Sequence, residues 1–245
     1  MAPVRRRRHL RALRAQVNRV FVVVGLALLL PVVALVGRVR PTAGRRVARW
    51  GSSVVAALCG VRFEVVGRRP PPSSVVVPNH SSPMDIPALL YADPQATFLA
   101  AADLFRIPLL AGAMRAVGTV AIERRDPERA HDQLDDLTAR RRNGAVDGHL
   151  VVFPEGGIAP TGGRLPFKTG AFVLAIRSAS PVVPVAIRGA DDVLSPRGHL
   201  LVRPGVVTVE FLDAVSTVGL TVEERHVLRD HVRDTVVGSC GRSLR

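Results

Sequence analysis

The run Asn79-His80-Ser81-Ser82-Pro83-Met84-Asp85 sets a histidine and an aspartate five positions apart, directly after the strand-like stretch Val75-Val76-Val77. On a regular helix that separation would turn the two side chains about 140° apart. Pro83 and the two serines instead favour a turn or a helix start between them, so imidazole and carboxylate can meet. A carboxylate that accepts from one ring nitrogen fixes the tautomer, and the other nitrogen is then free to take a proton from a hydroxyl. Such a pair is half of a catalytic triad whose nucleophile belongs to the substrate. A histidine beside an aspartate is more often a plain structural hydrogen bond, so the pair needs support from the rest of the chain.

That support lies downstream, in Gly118-Thr119-Val120-Ala121-Ile122-Glu123-Arg124, Val151-Val152-Phe153-Pro154-Glu155-Gly156-Gly157, Phe167-Lys168-Thr169-Gly170-Ala171-Phe172 and Val183-Pro184-Val185-Ala186-Ile187. In order and spacing these blocks, with the histidine motif, resemble the glycerolipid acyltransferase family (1-acylglycerol-3-phosphate O-acyltransferases) over roughly residues 75 to 190. The resemblance implies His80 as general base and Asp85 as its orienting carboxylate, with a lysolipid hydroxyl attacking an acyl thioester. It implies Arg124 as the holder of the acceptor's phosphate, which a bidentate guanidinium suits. Glu155, Gly156 and Lys168 would line the acceptor site, and Pro184 would lie on a buried strand near the acyl or thioester pocket. The implied activity forms phosphatidic acid from lysophosphatidic acid. The donor is acyl-CoA or acyl carrier protein, a substrate, and no separate cofactor is implied.

The chain departs from the family pattern at two places. The third block usually continues Thr-Arg-Ser, and here Gly157-Ile158-Ala159 follow Gly156. A lysine common in the segment Phe98 to Phe105 is replaced by alanines. Both changes remove positive charge from the expected phosphate cradle. Arg106, Arg115 or Arg164 would have to substitute, or the acceptor is another lysolipid, such as a lyso-ornithine lipid.

The formal charge of +14 invites a nucleic-acid reading. Lys168 is the only lysine, however, and the excess of arginine with Ala, Val, Gly and Pro matches a GC-rich coding bias. Aromatics are 4% of residues and the arginines are scattered, so base stacking and groove reading lack their usual parts. Anionic headgroups of membrane lipids are the expected partner, and no nucleic acid is. Cys59 and Cys240 read as reduced thiols, and His226 and His231 as solvated surface; no metal site is expected.

The chain divides into residues 1–60, a basic N-terminus with membrane-anchoring helices, and 61–245, the catalytic domain. Residues 20 to 37 are uncharged and apolar behind an arginine-rich lead. Eighteen helical residues span about 27 Å, just short of the roughly 30 Å hydrocarbon core. A retained anchor with its basic end, and so the catalytic domain, on the cytoplasmic side of the cell membrane is expected rather than a cleaved signal. From Arg45 to Gly60, Val47, Trp50, Val54 and Leu58 recur at helical spacing, which suits a helix at the interface or one packed on the catalytic domain. Beyond residue 61, strands alternate with helices: Val61 to Val65, Val75 to Val77, Ala96 to Ala100, Leu150 to Phe153, Val182 to Ile187 and Val206 to Phe211. A helix bent at Pro108 is expected over 103–117, one from Asp126 to Asn143, one over 172–176, and a last one opened by the capping box Thr221-Val222-Glu223-Glu224. The expected fold is α/β, a mixed and largely parallel sheet flanked by helices and preceded by a membrane-associated helical hairpin.

Three other readings fail or weaken. Gly163 to Thr169 lacks the glycine that a P-loop places before its lysine, and Ser81 and Ser82 lack a Gly-x-Ser-x-Gly elbow. A non-catalytic anionic-lipid-binding protein would explain the arginines but leaves His80, Asp85 and Glu155 without a role.

Overall fold

The computed structural model describes residues 2–145, 148–159, 165–195 and 201–241. Its seven-stranded sheet runs in the order β1 (Val61–Val66), β7 (Gly205–Phe211), β6 (Val182–Arg188), β2 (Val75–Pro78), β5 (His149–Val151), β3 (Ala96–Ala101), β4 (Val120–Ile122). All neighbours are parallel except β6 and β7, so the sheet is mixed and largely parallel. The central strands β2 and β5 are buried along their whole length, as valine-rich parallel strands covered on both faces must be. Successive residues on β2 sort into two cores: Val76 joins one with α3 (Asp85–Ala92), Val75 and Val77 the other with α6 (Gly170–Arg177) and α8 (Arg225–Cys240).

Local signals set most element ends. The Asp126 carboxylate accepts from the Arg129 N–H at 3.1 Å and opens α5 (Pro127–Arg142), which stops before Gly144 at φ 68°. Glu224 accepts from the Thr221 N–H at 2.8 Å, closing the capping box ahead of α8. The expected bent helix over 103–117 is instead two elements, a 3₁₀ turn Ala102–Arg106 and α4 (Pro108–Ala116). Ile107, the residue before proline, is extended, so Pro108 starts a helix rather than kinking one. β5 ends at Val151, earlier than expected, which releases Phe153 into the site. A short α7 (Ala190–Val193), absent from the sequence reading, follows β6.

The N-terminal region forms an antiparallel pair, α1 (Ala2–Val39) and α2 (Pro41–Leu58). Small residues allow close approach: a Cβ on Gly44 would fall 2.6 Å from Gly37 Cα, and one on Gly37 would fall 2.2 Å from Ala116 Cβ on α4. At the other end Asn18 Nδ2 donates to Cys59 O (3.0 Å) and to Val202 O (2.9 Å), so α1 lies along the catalytic domain rather than projecting from it. Its outer face, with Phe21, Leu28 and Leu35, is exposed, as are Trp50, Val54 and Leu58 of α2. The apolar stripe of α2 therefore faces away from the domain, and its buried face is the small one, Gly44, Ala48, Gly51 and Ala56.

Gly37 sits where three helices meet, so Gly37→Ala is expected to lower stability by about 1–3 kcal/mol through overpacking. Urea unfolding in detergent measures it; an unchanged midpoint would contradict the close packing of α1 on α4.

Candidate active site

The site is built where β2 leaves the sheet. Asn79 ties that exit to β6 through both amide atoms, donating to Ile187 O at 2.9 Å and accepting from Ile187 N–H at 2.7 Å. The chain then turns so that His80 Nδ1 lies 2.8 Å from Asp85 Oδ2, the first residue of α3. The Ser81 and Ser82 N–H groups donate to the same oxygen at 2.9 and 3.0 Å. A carboxylate can only accept, so Nδ1 carries the proton, and in the neutral ring Nε2 is then the nitrogen with the lone pair. The imidazole stacks on Phe153, ring centroids 3.9 Å apart and 23° from parallel.

Asp85 is fully buried, and its Oδ1 has no hydrogen-bond partner. Burial pushes its carboxyl above the ordinary range, against the pull of His80 and the two serine N–H groups toward the ionised form.

A second pair, His149 and Asp93, has nearly the same contact, Nδ1 to Oδ2 at 2.7 Å. It stands at the opposite end, on the first residue of β5 and the C-cap of α3, with both side chains buried. His80, by contrast, lines an apolar cavity of about 590 Å³. Surroundings, not the contact itself, distinguish His80 from His149. The cavity is walled by Leu26, Leu29, Leu30 and Val33 of α1, Val55 of α2, Ile86 and Leu90 of α3 and Leu110 and Met114 of α4.

The other block residues join the same cluster. Glu155 is buried; its Oε1 accepts from the His80 backbone N–H (2.9 Å) and its Oε2 from Leu165 N–H (3.0 Å). Gly156 adopts φ 73°, a conformation that strains other residues, and a Cβ there would fall 2.9 Å from Lys168 Nζ. Arg124 Nη1 donates to Gly156 O. His80, Asp85, Glu155, Gly156, Arg124 and Lys168 are thus connected through the histidine turn and the Pro154–Gly156 turn. Arg106 and Arg115 lie elsewhere, Arg106 paired with Asp103 and Arg115 over the Phe105 ring. Arg164 and Gly163 fall outside the described residues. Pro184 lies on the buried strand β6, paired with Val77 of β2, and does not itself line the cavity.

Phe153 and Asn79 were not singled out for roles from sequence, although both stand inside the quoted motifs. Their parts depend on a ring stack and a bond across 108 positions of chain, which no local pattern encodes.

Residues 62–188 match the family model described as Acyltransferase. The chain is 32% identical over 167 residues to a putative 1-acyl-sn-glycerol-3-phosphate acyltransferase (acl-2) of Caenorhabditis elegans, covering 68% of this chain and 58% of that one. It is 31% identical over 184 residues to the 1-acyl-sn-glycerol-3-phosphate acyltransferase alpha of Mus musculus, covering 74% and 64%. The yeast 1-acyl-sn-glycerol-3-phosphate acyltransferase is 32% identical over 196 residues, 78% and 63%. The chain therefore spans about three fifths of the length of these relatives. The crystal structure of the 1-acyl-sn-glycerophosphate acyltransferase PlsC from Thermotoga maritima superposes with a TM-score of 0.76 at 23% identity, covering 96% of this chain and 100% of that one, and shows the same fold.

Asp85's raised carboxyl has a consequence for stability. Its contribution is fully present below the unfolded carboxyl pKa, about 4, and is lost as pH rises through the higher folded value. Asp85→Asn, which does not titrate, should gain stability relative to the unsubstituted chain between pH about 4 and about 7. Urea midpoints at the two pH values test this; a relative loss would mean that the three hydrogen bonds outweigh burial.

Proposed function

Because the chain belongs to the acyltransferase family, we propose that it is a membrane-associated O-acyltransferase that moves a fatty acyl group from a thioester of CoA or acyl carrier protein to the hydroxyl of lysophosphatidic acid. The observation that carries this reading is a His–Asp pair facing an apolar cavity of about 590 Å³. At roughly 30 Å³ per methylene-sized group, the share a water molecule takes in the liquid, that volume holds a chain of up to about 20 carbons.

In this reading His80 Nε2 takes the hydroxyl proton as the oxygen bonds to the thioester carbon. The tetrahedral intermediate then expels the thiolate, which receives that proton back from the imidazolium. Asp85 holds the imidazolium through Nδ1, and Phe153 keeps the ring plane fixed. Arg124 and Lys168, meeting at Gly156, are the cations available to an acceptor phosphate. The exposed outer faces of α1 and α2 support membrane association: α1 contains a 24-residue span of mean hydropathy 2.9. Because α1 packs along the catalytic domain from Asn18 to Gly37, the hairpin lies at one face of the bilayer, and the arginine-rich lead ahead of it supports the cytoplasmic side for the catalytic domain.

One observation favours a second acceptor. Ile158, at the position where the third block of the family pattern carries its arginine, lines the apolar cavity. A phosphate-free lysolipid would meet no missing charge there.

His80→Ala should lower acyl transfer by about 10²–10⁴-fold or more with the fold intact. Near-unchanged turnover in a folded variant would falsify the base assignment and favour a lipid-binding role. Arg124 separates the acceptors: with lysophosphatidic acid, Arg124→Ala should raise the acceptor KM at least about tenfold, since charge-assisted bonds contribute about 1.5–3 kcal/mol each. Equal losses with phosphorylated and phosphate-free lysolipids would remove Arg124 from a phosphate site.

A further inference from the structure

We infer that the segment from Leu104 to Leu109, between β3 and the first turn of α4, is a bilayer-docking shoulder set against the acyl cavity, in addition to α1 and α2. Resting on the membrane reading above, it adds a second contact from the catalytic domain itself. Leu104, Ile107 and Leu109 are large apolar side chains that stand exposed (41%, 51% and 52%). Leu104 also lines the cavity, as does Leu110, so this stretch is a thin wall between the cavity and the outside.

Two features select a lipid surface as the occupant. Gly112 packs on Ala34 and Ala116 on Gly37, which lays α4 alongside α1, where Leu28, Val32 and Leu35 are also exposed. The shoulder is therefore continuous with the apolar hairpin rather than an isolated patch. Around it stand Arg106, Arg115 and Arg125, all exposed, against the carboxylates of Asp103, which pairs with Arg125 at 3.0 Å and Arg106 at 3.9 Å, and of Glu123, which accepts from the Arg125 backbone N–H at 3.1 Å. Apolar side chains rimmed by surplus guanidiniums match hydrocarbon beneath anionic headgroups. A lysolipid or acyl chain leaving the bilayer at this point has one wall to pass before it reaches His80.

The test places an environment-sensitive fluorophore on Leu109→Cys in a Cys240→Ser background of the full chain, Cys59 being buried. The control label goes on Val218→Cys, an exposed site ahead of α8. Vesicles of phosphatidylglycerol and phosphatidylcholine should blue-shift the label at 109, brominated acyl chains should quench it, and neither should affect 218. Omitting phosphatidylglycerol should weaken the response several-fold. Ile107→Glu with Leu109→Glu should lower transfer to vesicle-embedded lysolipid about tenfold while transfer to a soluble short-chain lysolipid stays within about twofold. Protein that floats with vesicles while the label at 109 stays silent overturns the shoulder and leaves the hairpin reading standing. Protein that does not float at all overturns both. A label that answers to acyl carrier protein instead of vesicles, or equal losses on both acceptors, also overturns the proposal.

Discussion

Three donors converge on one oxygen of a buried carboxylate, and the site depends on that convergence. Asp85 Oδ2 receives His80 Nδ1–H and the Ser81 and Ser82 N–H groups, while Oδ1 receives none. The serine bonds shape the turn, the turn brings the histidine back over the start of α3, and the histidine bond fixes the tautomer. Desolvating the carboxylate is unfavourable by itself, and the His80 and serine donors oppose that cost by favouring the ionised form beside the imidazole. The His149–Asp93 pair shows the same contact in other surroundings: both its side chains are buried and neither lines the cavity that His80 faces.

The cavity joins the two parts of the chain. β strands and α3 supply the reactive end, and α1, α2 and α4 supply most of the apolar wall. Glycine and alanine at the helix contacts bring the backbones close, which leaves the larger side chains of α1 free to face either the cavity or the outside. One helix thus serves both as cavity wall and as outer apolar surface, so in the proposed function membrane docking and acyl binding share that helix. On the polar side, Glu155 links the histidine turn to Leu165 through its two oxygens, so one carboxylate holds both segments.

Elements with local chemical markers were legible in the sequence. Asp126-Pro127 and Gly144 bound α5, the Thr221–Glu224 box opens the last helix, and the valine runs form buried strands. At Ile107 the preference of the residue before proline overrode a continuous helical pattern. The spacing of His80 and Asp85 foretold their meeting, and the motif resemblance placed Arg124, Glu155, Gly156 and Lys168 near them. The cavity was not legible. An apolar run such as 20–37 shows that a helix must be covered, by lipid or by protein, and does not show which side faces what. The stacking of Phe153 and the Asn79 bond to Ile187 arise only once distant strands pair.

The central claim is that His80 presents an unprotonated Nε2 to the acyl cavity because Asp85 holds its Nδ1 proton. Nitrogen-15 NMR of histidine-labelled protein in detergent at neutral pH measures this directly. The account predicts the Nδ1–H tautomer at His80, a hydrogen-bonded Nδ1 proton that disappears in Asp85→Ala, and a shift at Nε2 on adding a long-chain acyl thioester analogue while His149 is unaffected. An Nε2–H tautomer at His80, or a ligand response at His149 instead, would contradict it.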